Sequence, residues 1–145
     1  MMDDRTPVIV GAGQYNARQS GSEPIDLMAR CVEAALTDAG APSLREAISA
    51  VRVVWGVWPY ADPGRLVAAR IGAPAVRTTL TAMGGNQVYA LVSETATRIQ
   101  RGELDVAVVC AAETLRTRRL DRSQGRSTEY VPEPEGAVPD ETFGD

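Results

Sequence analysis

Apolar positions along the 145-residue chain fall into two periods. Short β-branched runs alternate with stretches whose apolar residues recur every three or four positions. The first run, Pro7-Val8-Ile9-Val10-Gly11, is opened by proline and predicts a buried strand. Ala12 to Glu23 is polar and reads as a loop. Pro24 suits a first helical turn, and Ile25, Met28, Val32, Ala35 and Ala39 continue at helical spacing. Leu27, Cys31, Ala34 and Leu36 widen that apolar face, and Gly40 and Pro42 stop the helix. Ser43-Leu44-Arg45-Glu46 has the form of a capping box for a short helix.

A strand is predicted over Val51 to Trp58. Asp62-Pro63 then places an N-cap and a first-turn proline ahead of a helix that Gly72 closes. Arg77 to Leu80 reads as a brief strand, and Gly84-Gly85-Asn86 leads into a third long helix. Its expected core face is Val88, Leu91, Val92, Thr95, Ala96 and Ile99, and Gly102 ends it. Val106 to Cys110 centres the last strand. Strands and helices alternating in this order predict an α/β fold, a layered and mostly parallel sheet with helices.

The pattern changes after Leu120. Residues 121–145 hold seven acidic residues, two arginines, three prolines and three glycines. Only Tyr130, Val131, Val138 and Phe143 offer anchors there. The division this suggests is an α/β domain over 1–120, followed over 121–145 by an acidic tail or the start of a loop region. Such a stretch is expected to bury too little surface to offset its ordering entropy.

Composition narrows the chemistry. The chain has no histidine, which removes imidazole bases, Ser-His-Asp triads and Cys-His pairs from its own residues. Every one of its fifteen positive charges is an arginine, and the formal net charge is −4, a balance that speaks against nucleic acid as partner. No apolar run reaches the ~20 residues of a membrane span, and no signal-peptide core follows the acidic start. Two cysteines make neither a disulfide framework nor a zinc site, and a reducing cytoplasm is the expected location.

Candidate chemistry is sparse. Gly11-Ala12-Gly13 invites a dinucleotide reading, but position 16 is Asn and the helix starts about ten residues later than a phosphate turn needs. Cys31 on a helix face and Cys110 at a strand end read as buried structural thiols. Trp55, Trp58 and Tyr60 suit core or interface packing better than a ligand shelf. Arg116, Arg118, Arg119 and Arg122 form a basic run that suits a solvated surface or contacts with the acidic tail; a CoA phosphate is the alternative. Glu113 follows the last strand, where α/β folds place functional groups. The segment Leu80 to Val92 delivers a small-residue turn into a helix N-terminus, a place that would activate a nucleophile, and none stands there.

Four stretches together resemble the N-terminal half of the thiolase superfamily, the acyl-CoA acetyltransferases. Arg5 to Gln14 is similar to the family's first strand, and Asp26 to Gly40, ending in Asp-Ala-Gly, to its first helix. Gly84-Gly85-Asn86-Gln87 sits where the family's nucleophile turn sits. Ile99 to Glu113 resembles its I-x-x-G-x-x-D-V-x-x-x-x-G-x-E stretch. Met83-Gly84-Gly85-Asn86 is closer still to a sterol-carrier-protein-type, thiolase-like branch. The resemblance implies an acyltransferase of lipid metabolism acting on acyl-CoA thioesters, with CoA thioester as substrate and no bound cofactor or metal. It implies a substrate site at Met83, Gly84, Gly85 and Asn86, and homodimer or heteromer contacts through Arg77 to Leu80.

The departure lies at the nucleophile. Met83 or Gly84 stands where thiolases place cysteine, and neither can be acylated. The family's histidine and second cysteine belong to later segments, and its second half would follow Asp145. No residue of this chain is therefore assigned a catalytic role, and the chain alone is expected to be inactive. The alternatives are a non-catalytic thiolase-like module that pairs with a partner chain and, resting only on Gly11-Ala12-Gly13, an unrelated nucleotide-binding domain.

Overall fold

The computed structural model describes residues 3–19 and 21–144. Among the described residues, five helices and four strands follow in the order α1 (Pro24–Asp38), α2 (Leu44–Ala47), β1 (Ile48–Val53), α3 (Pro63–Arg70), β2 (Arg77–Thr81), α4 (Gln87–Gln100), β3 (Val106–Cys110), α5 (Leu115–Ser123) and β4 (Glu141–Phe143). The strands form one sheet in the order β3-β1-β2-β4, every neighbouring pair parallel. The α/β architecture expected from the alternation of periods is what the chain adopts.

Helix ends follow the capping chemistry in the sequence. Pro24 opens α1, whose first turn is tied by the Glu23 carboxylate accepting from the Ile25 and Asp26 N–H groups at 2.7 and 3.2 Å. Asp62 caps α3 by accepting from the Arg65 N–H at 3.2 Å. Ser43 precedes α2 without making the cap its side chain could offer.

Side-chain alternation along β1 separates the two layers packed on the sheet. Val51 and Val53 join Ile25, Met28 and Val32 of α1 and Val67 and Ala68 of α3 in the apolar core. Arg52 points the other way, toward α4, where it meets Glu94 and Thr95. Helices α1 and α3 thus cover one face and α4 the other.

Three expectations are corrected. Pro7 to Gly11 is not a buried strand: it runs beside the sheet without a partner, with Val8, Ile9 and Val10 58%, 84% and 55% exposed. Strand β3 ends the sheet on this side, and the segment does not pair with its outer edge. The segment is held from outside. Arg5 donates to the Ile99 carbonyl at 3.1 Å and pairs with Asp105 at 3.2 Å. Gly11 and Gly13 lie so close to α1 that a Cβ would sit 2.1 Å from the Ala35 carbonyl oxygen and 2.0 Å from that of Cys31. This contact, rather than a phosphate, accounts for the two glycines, and α1 does not begin until Pro24.

The strand expected over Val51 to Trp58 begins earlier and ends at Val53. The Trp55 N–H leaves the ladder and donates to the Thr81 hydroxyl at 3.0 Å.

The stretch 121–144 is not an unanchored tail. Residues 115–123 are helical, Tyr130 and Val131 pack against the core, and β4 pairs with β2. Its acidic residues supply the order that composition argued against. Glu133 accepts from the Ala61 and Asp62 N–H groups, each at 2.7 Å. Asp140 accepts from the Thr78 N–H and pairs with Arg65, both at 2.8 Å. Glu141 bridges Arg98 and Arg77 at 2.8 and 2.9 Å.

These carboxylates make β4 docking pH-dependent. The Thr78 N–H, then Arg65, hold Asp140 below the usual carboxylate range against modest burial. Burial pushes Glu141 up, but its bond to Arg98 and the charges of Arg98, Arg77 and Arg52 outweigh it and leave the group lowered. A lowered folded pKa contributes stability above the unfolded value, near 4 for these groups, and that contribution is lost as pH falls through the folded value. Asp62, raised by burial, has the opposite sign and is relieved on acidification. Glu94, beside Arg52 and Arg98, completes the charged surroundings of the strand. Amide resonances of Thr142 and Phe143, followed by NMR from about pH 6 to pH 3, should leave their docked positions only below about pH 4. Docking that is unchanged throughout that range would show the carboxylates to be dispensable.

Candidate functional site

All four strands point their carboxyl ends to one edge of the sheet, the edge where α/β folds gather functional loops. Val54 to Val57 leave β1 there, Ala82 to Asn86 leave β2, and Ala111 to Glu113 leave β3. Glu113 crosses from the end of β3 to the loop after β1, where its carboxylate accepts from the Val57 N–H at 2.7 Å. The adjacent Trp58 indole N–H donates to the Ala112 carbonyl at 3.0 Å. Gly56 makes this crossing possible: a Cβ on it would lie 2.3 Å from the Trp58 Nε1 and 2.7 Å from the Glu113 Oε1. Glu113 thus fastens two carboxyl-end loops together, and it has no second carboxylate, histidine or thiol beside it in these contacts.

Met83, Gly84, Gly85 and Asn86 form the turn from β2 into α4 on the same edge. Met83 is 62% exposed, and the Gln87 N–H closes the turn on the Gly84 carbonyl at 3.1 Å. The first turn of α4 carries no acidic side chain, and Asn86 makes no side-chain cap. The turn therefore presents a helix N-terminus with small residues and a thioether, a surface suited to approach by a polar or anionic group. It contains no nucleophile.

The cysteines are elsewhere. Cys110 ends β3 inside the core, where burial pushes its thiol up to about 12, with a smaller contribution from Cys31. A thiol so shifted stays protonated and inert at neutral pH. Cys31 is half-buried on α1. Among the described residues, no group of three or more cysteine, aspartate and glutamate side chains is arranged to hold a metal ion.

The aromatic cluster divides. Trp58 and Tyr60 are buried with ring centroids 5.3 Å apart, and Tyr130 meets Tyr60 edge-on at 5.7 Å. Trp55 stands apart and exposed. The arginines of α5 lie on a solvated surface, the first of the two arrangements the sequence suggests: no residue of α5 is buried, and Arg116 donates to the Arg18 carbonyl at 2.6 Å.

Two features escaped the sequence. The first is a charged network between the sheet and α4. Arg52, 1% exposed, pairs with Glu94 and donates to the hydroxyls of Thr95 and Thr79 at 2.7 and 3.3 Å. Arg98 joins Glu94 to Glu141. Arg52 stands alone in an apolar run, and its only legible signal was that position. The second is an apolar groove of about 750 Å³ between the Pro7–Tyr15 segment, α1, α4 and β3. Val88 and Val92, expected in the core, line it instead and are 50% and 39% exposed.

Comparison with known proteins gives this geometry a counterpart. The crystal structure of a monomeric SCP2-thiolase-like protein type 1 from Mycobacterium smegmatis superposes with a TM-score of 0.67 at 37% identity. The fold is SCP2-thiolase-like. The match covers 75% of this chain and 24% of the other, so the chain spans about a quarter of that protein's length. No family model and no curated protein matches the chain. Among the described residues, no helix is long and apolar enough to cross a membrane.

Proposed function

We propose that this chain is a thiolase-like unit of the acetyl-CoA acetyltransferase type, which meets acyl-CoA thioesters at its Met83-Gly84-Gly85-Asn86 turn and does not catalyse acyl transfer by itself. The observation that carries the reading is the SCP2-thiolase-like fold at 37% identity. The turn supports it by its place at the carboxyl edge and at the N-terminus of α4. A thioester carbonyl brought there would find backbone N–H groups and no acyl acceptor. Neither a thioether nor glycine forms a thioester, and the Cys110 thiol, away from the turn, is held protonated by burial. The setting is lipid metabolism in the cytoplasm.

The second reading is a non-catalytic module that pairs with a partner chain. It is favoured by the apolar groove and by the exposed Val88, Tyr89 and Val92 on α4.

Calorimetric titration with acetyl-CoA, paired with a thiolysis assay on acetoacetyl-CoA, separates these. Saturable binding without turnover is expected. Turnover by the purified chain would overturn the inactive part of the proposal. Absence of binding would remove the acyl-CoA role and leave the module.

A further inference from the structure

We infer that the outward face of α5 is a docking surface for a bilayer containing anionic lipid, against which the chain rests peripherally. Arg116, Arg118, Arg119 and Arg122 all fall on this nine-residue helix, and among the described residues none of them pairs with a carboxylate. The arginines of the sheet, α3 and α4 are placed differently: Arg52, Arg65, Arg70, Arg77 and Arg98 each pair with an aspartate or glutamate. Asp121, the one acidic residue of α5, is turned inward, where it takes Arg126 and the Thr128 hydroxyl at 3.1 and 2.9 Å.

Tertiary contacts fix which side of the helix faces out. Thr117, one turn before Asp121, accepts from the Gly21 N–H at 3.0 Å. Arg116 donates to the Arg18 carbonyl, which brings a further exposed arginine from the loop before α1 beside the helix. Along α5 itself, Arg116 and Arg119 are three residues apart, Arg119 and Arg122 three, and Arg118 and Arg122 four. Like charges at these spacings face one another and destabilise the helix. No carboxylate among the described residues relieves them, whereas an anionic surface would.

Charge calls for an anion, and two leucines decide which kind. Leu115 and Leu120 are 46% and 39% exposed. They flank Arg119 and Arg116 on the helix, all four within an arc of about 140°. A free phosphate or a nucleic-acid backbone would use the arginines and leave the leucines in water. A bilayer interface takes both: leucines enter the boundary of the acyl chains, and guanidinium groups reach the lipid phosphates at the ends of their aliphatic stems. The formal net charge of −4 leaves the rest of the chain repelled by such a surface, so the attraction at α5 also sets the orientation. Among the described residues no helix can cross a membrane, so this contact is with the surface of the bilayer.

Vesicles carry no thioester, so this surface and the proposed function fail separately. The test is flotation of the full chain with vesicles of phosphatidylcholine alone and of phosphatidylcholine mixed equally with phosphatidylglycerol. Binding should favour the anionic vesicles about a hundredfold and should weaken as salt is raised. Arg119→Glu should lower it about tenfold or more, and Arg119→Lys should retain it. Arg101→Glu makes the same change of net charge at an exposed arginine just beyond α4 and should leave binding within about twofold, because the attraction falls off over a Debye length. Leu115→Ser with Leu120→Ser should weaken binding several-fold at unchanged charge. Circular dichroism checks that each variant is folded. Equal affinity for the two vesicles would overturn the inference, as would equal losses from Arg119→Glu and Arg101→Glu. Anionic binding indifferent to the two leucines would overturn it in favour of a soluble polyanion, such as an acidic protein or RNA.

Discussion

Replacing Glu94 with alanine should cost about 3–5 kcal/mol of unfolding free energy, the range for leaving one member of a buried ion pair alone. Arg52 is almost wholly enclosed and would keep the Thr95 and Thr79 hydroxyls as hydrogen-bond partners, with the Glu141 carboxylate acting on it only through its charge. Hydroxyl oxygens can accept its N–H groups but cannot balance its charge. The same substitution takes one partner from Arg98, whose Nε donates to the other Glu94 oxygen at 2.6 Å, and leaves it paired with Glu141. Glu94→Gln keeps one of the two acceptor oxygens and should cost less. Replacing both Arg52 and Glu94 with leucine should recover most of the loss, because an apolar pair needs no desolvation of charge. Urea denaturation of the four proteins reads all of this. A loss below about 1 kcal/mol for Glu94→Ala would mean that the pair behaves as an exposed one.

Leu91→Ala should cost about 2–5 kcal/mol, whereas Val88→Ala should cost less than about 0.5 kcal/mol. Both sit on α4 at adjacent turns of what reads in the sequence as one apolar face. Leu91 is completely enclosed and is the only aliphatic residue that α4 fully buries, so a cavity there has little to collapse into it. Val88 lines the open groove. Thermal or urea unfolding of the isolated chain gives both values. Equal costs would show that the exposed flank of α4 is covered in solution, as the partner-module reading requires.

Much of the architecture is legible without coordinates. The period of the apolar residues, Pro24, Pro63 and the Asp62 cap place α1, α3 and α4 and the three strands β1, β2 and β3 to within a few residues. The turn at Met83 to Asn86 is likewise visible as small residues between a strand and a helix. Local rules suffice there because caps, prolines and hydrophobic periods act over one or two turns of chain.

What escaped shares one cause. Val8, Ile9 and Val10 look like a core strand, but the segment stands off the terminal strand β3 across the apolar groove, held by Arg5 and by the close approach of Gly11 and Gly13 to α1. Glu133, Asp140 and Glu141 look like the charges of a loose tail, yet N–H groups and arginines up to about 70 residues away in sequence hold them in place. Arg52 reads as an interruption of a buried strand until Glu94 arrives from α4. The sequence by itself determined helices α1 to α4, three strands of the sheet, the small-residue turn and the absence of an acyl acceptor in it, but not α5. Tertiary structure alone decided which apolar run stays outside, where the acidic stretch docks and which edge of the sheet is closed. Those outcomes depend on partners distant in the chain, which no local pattern of residues encodes.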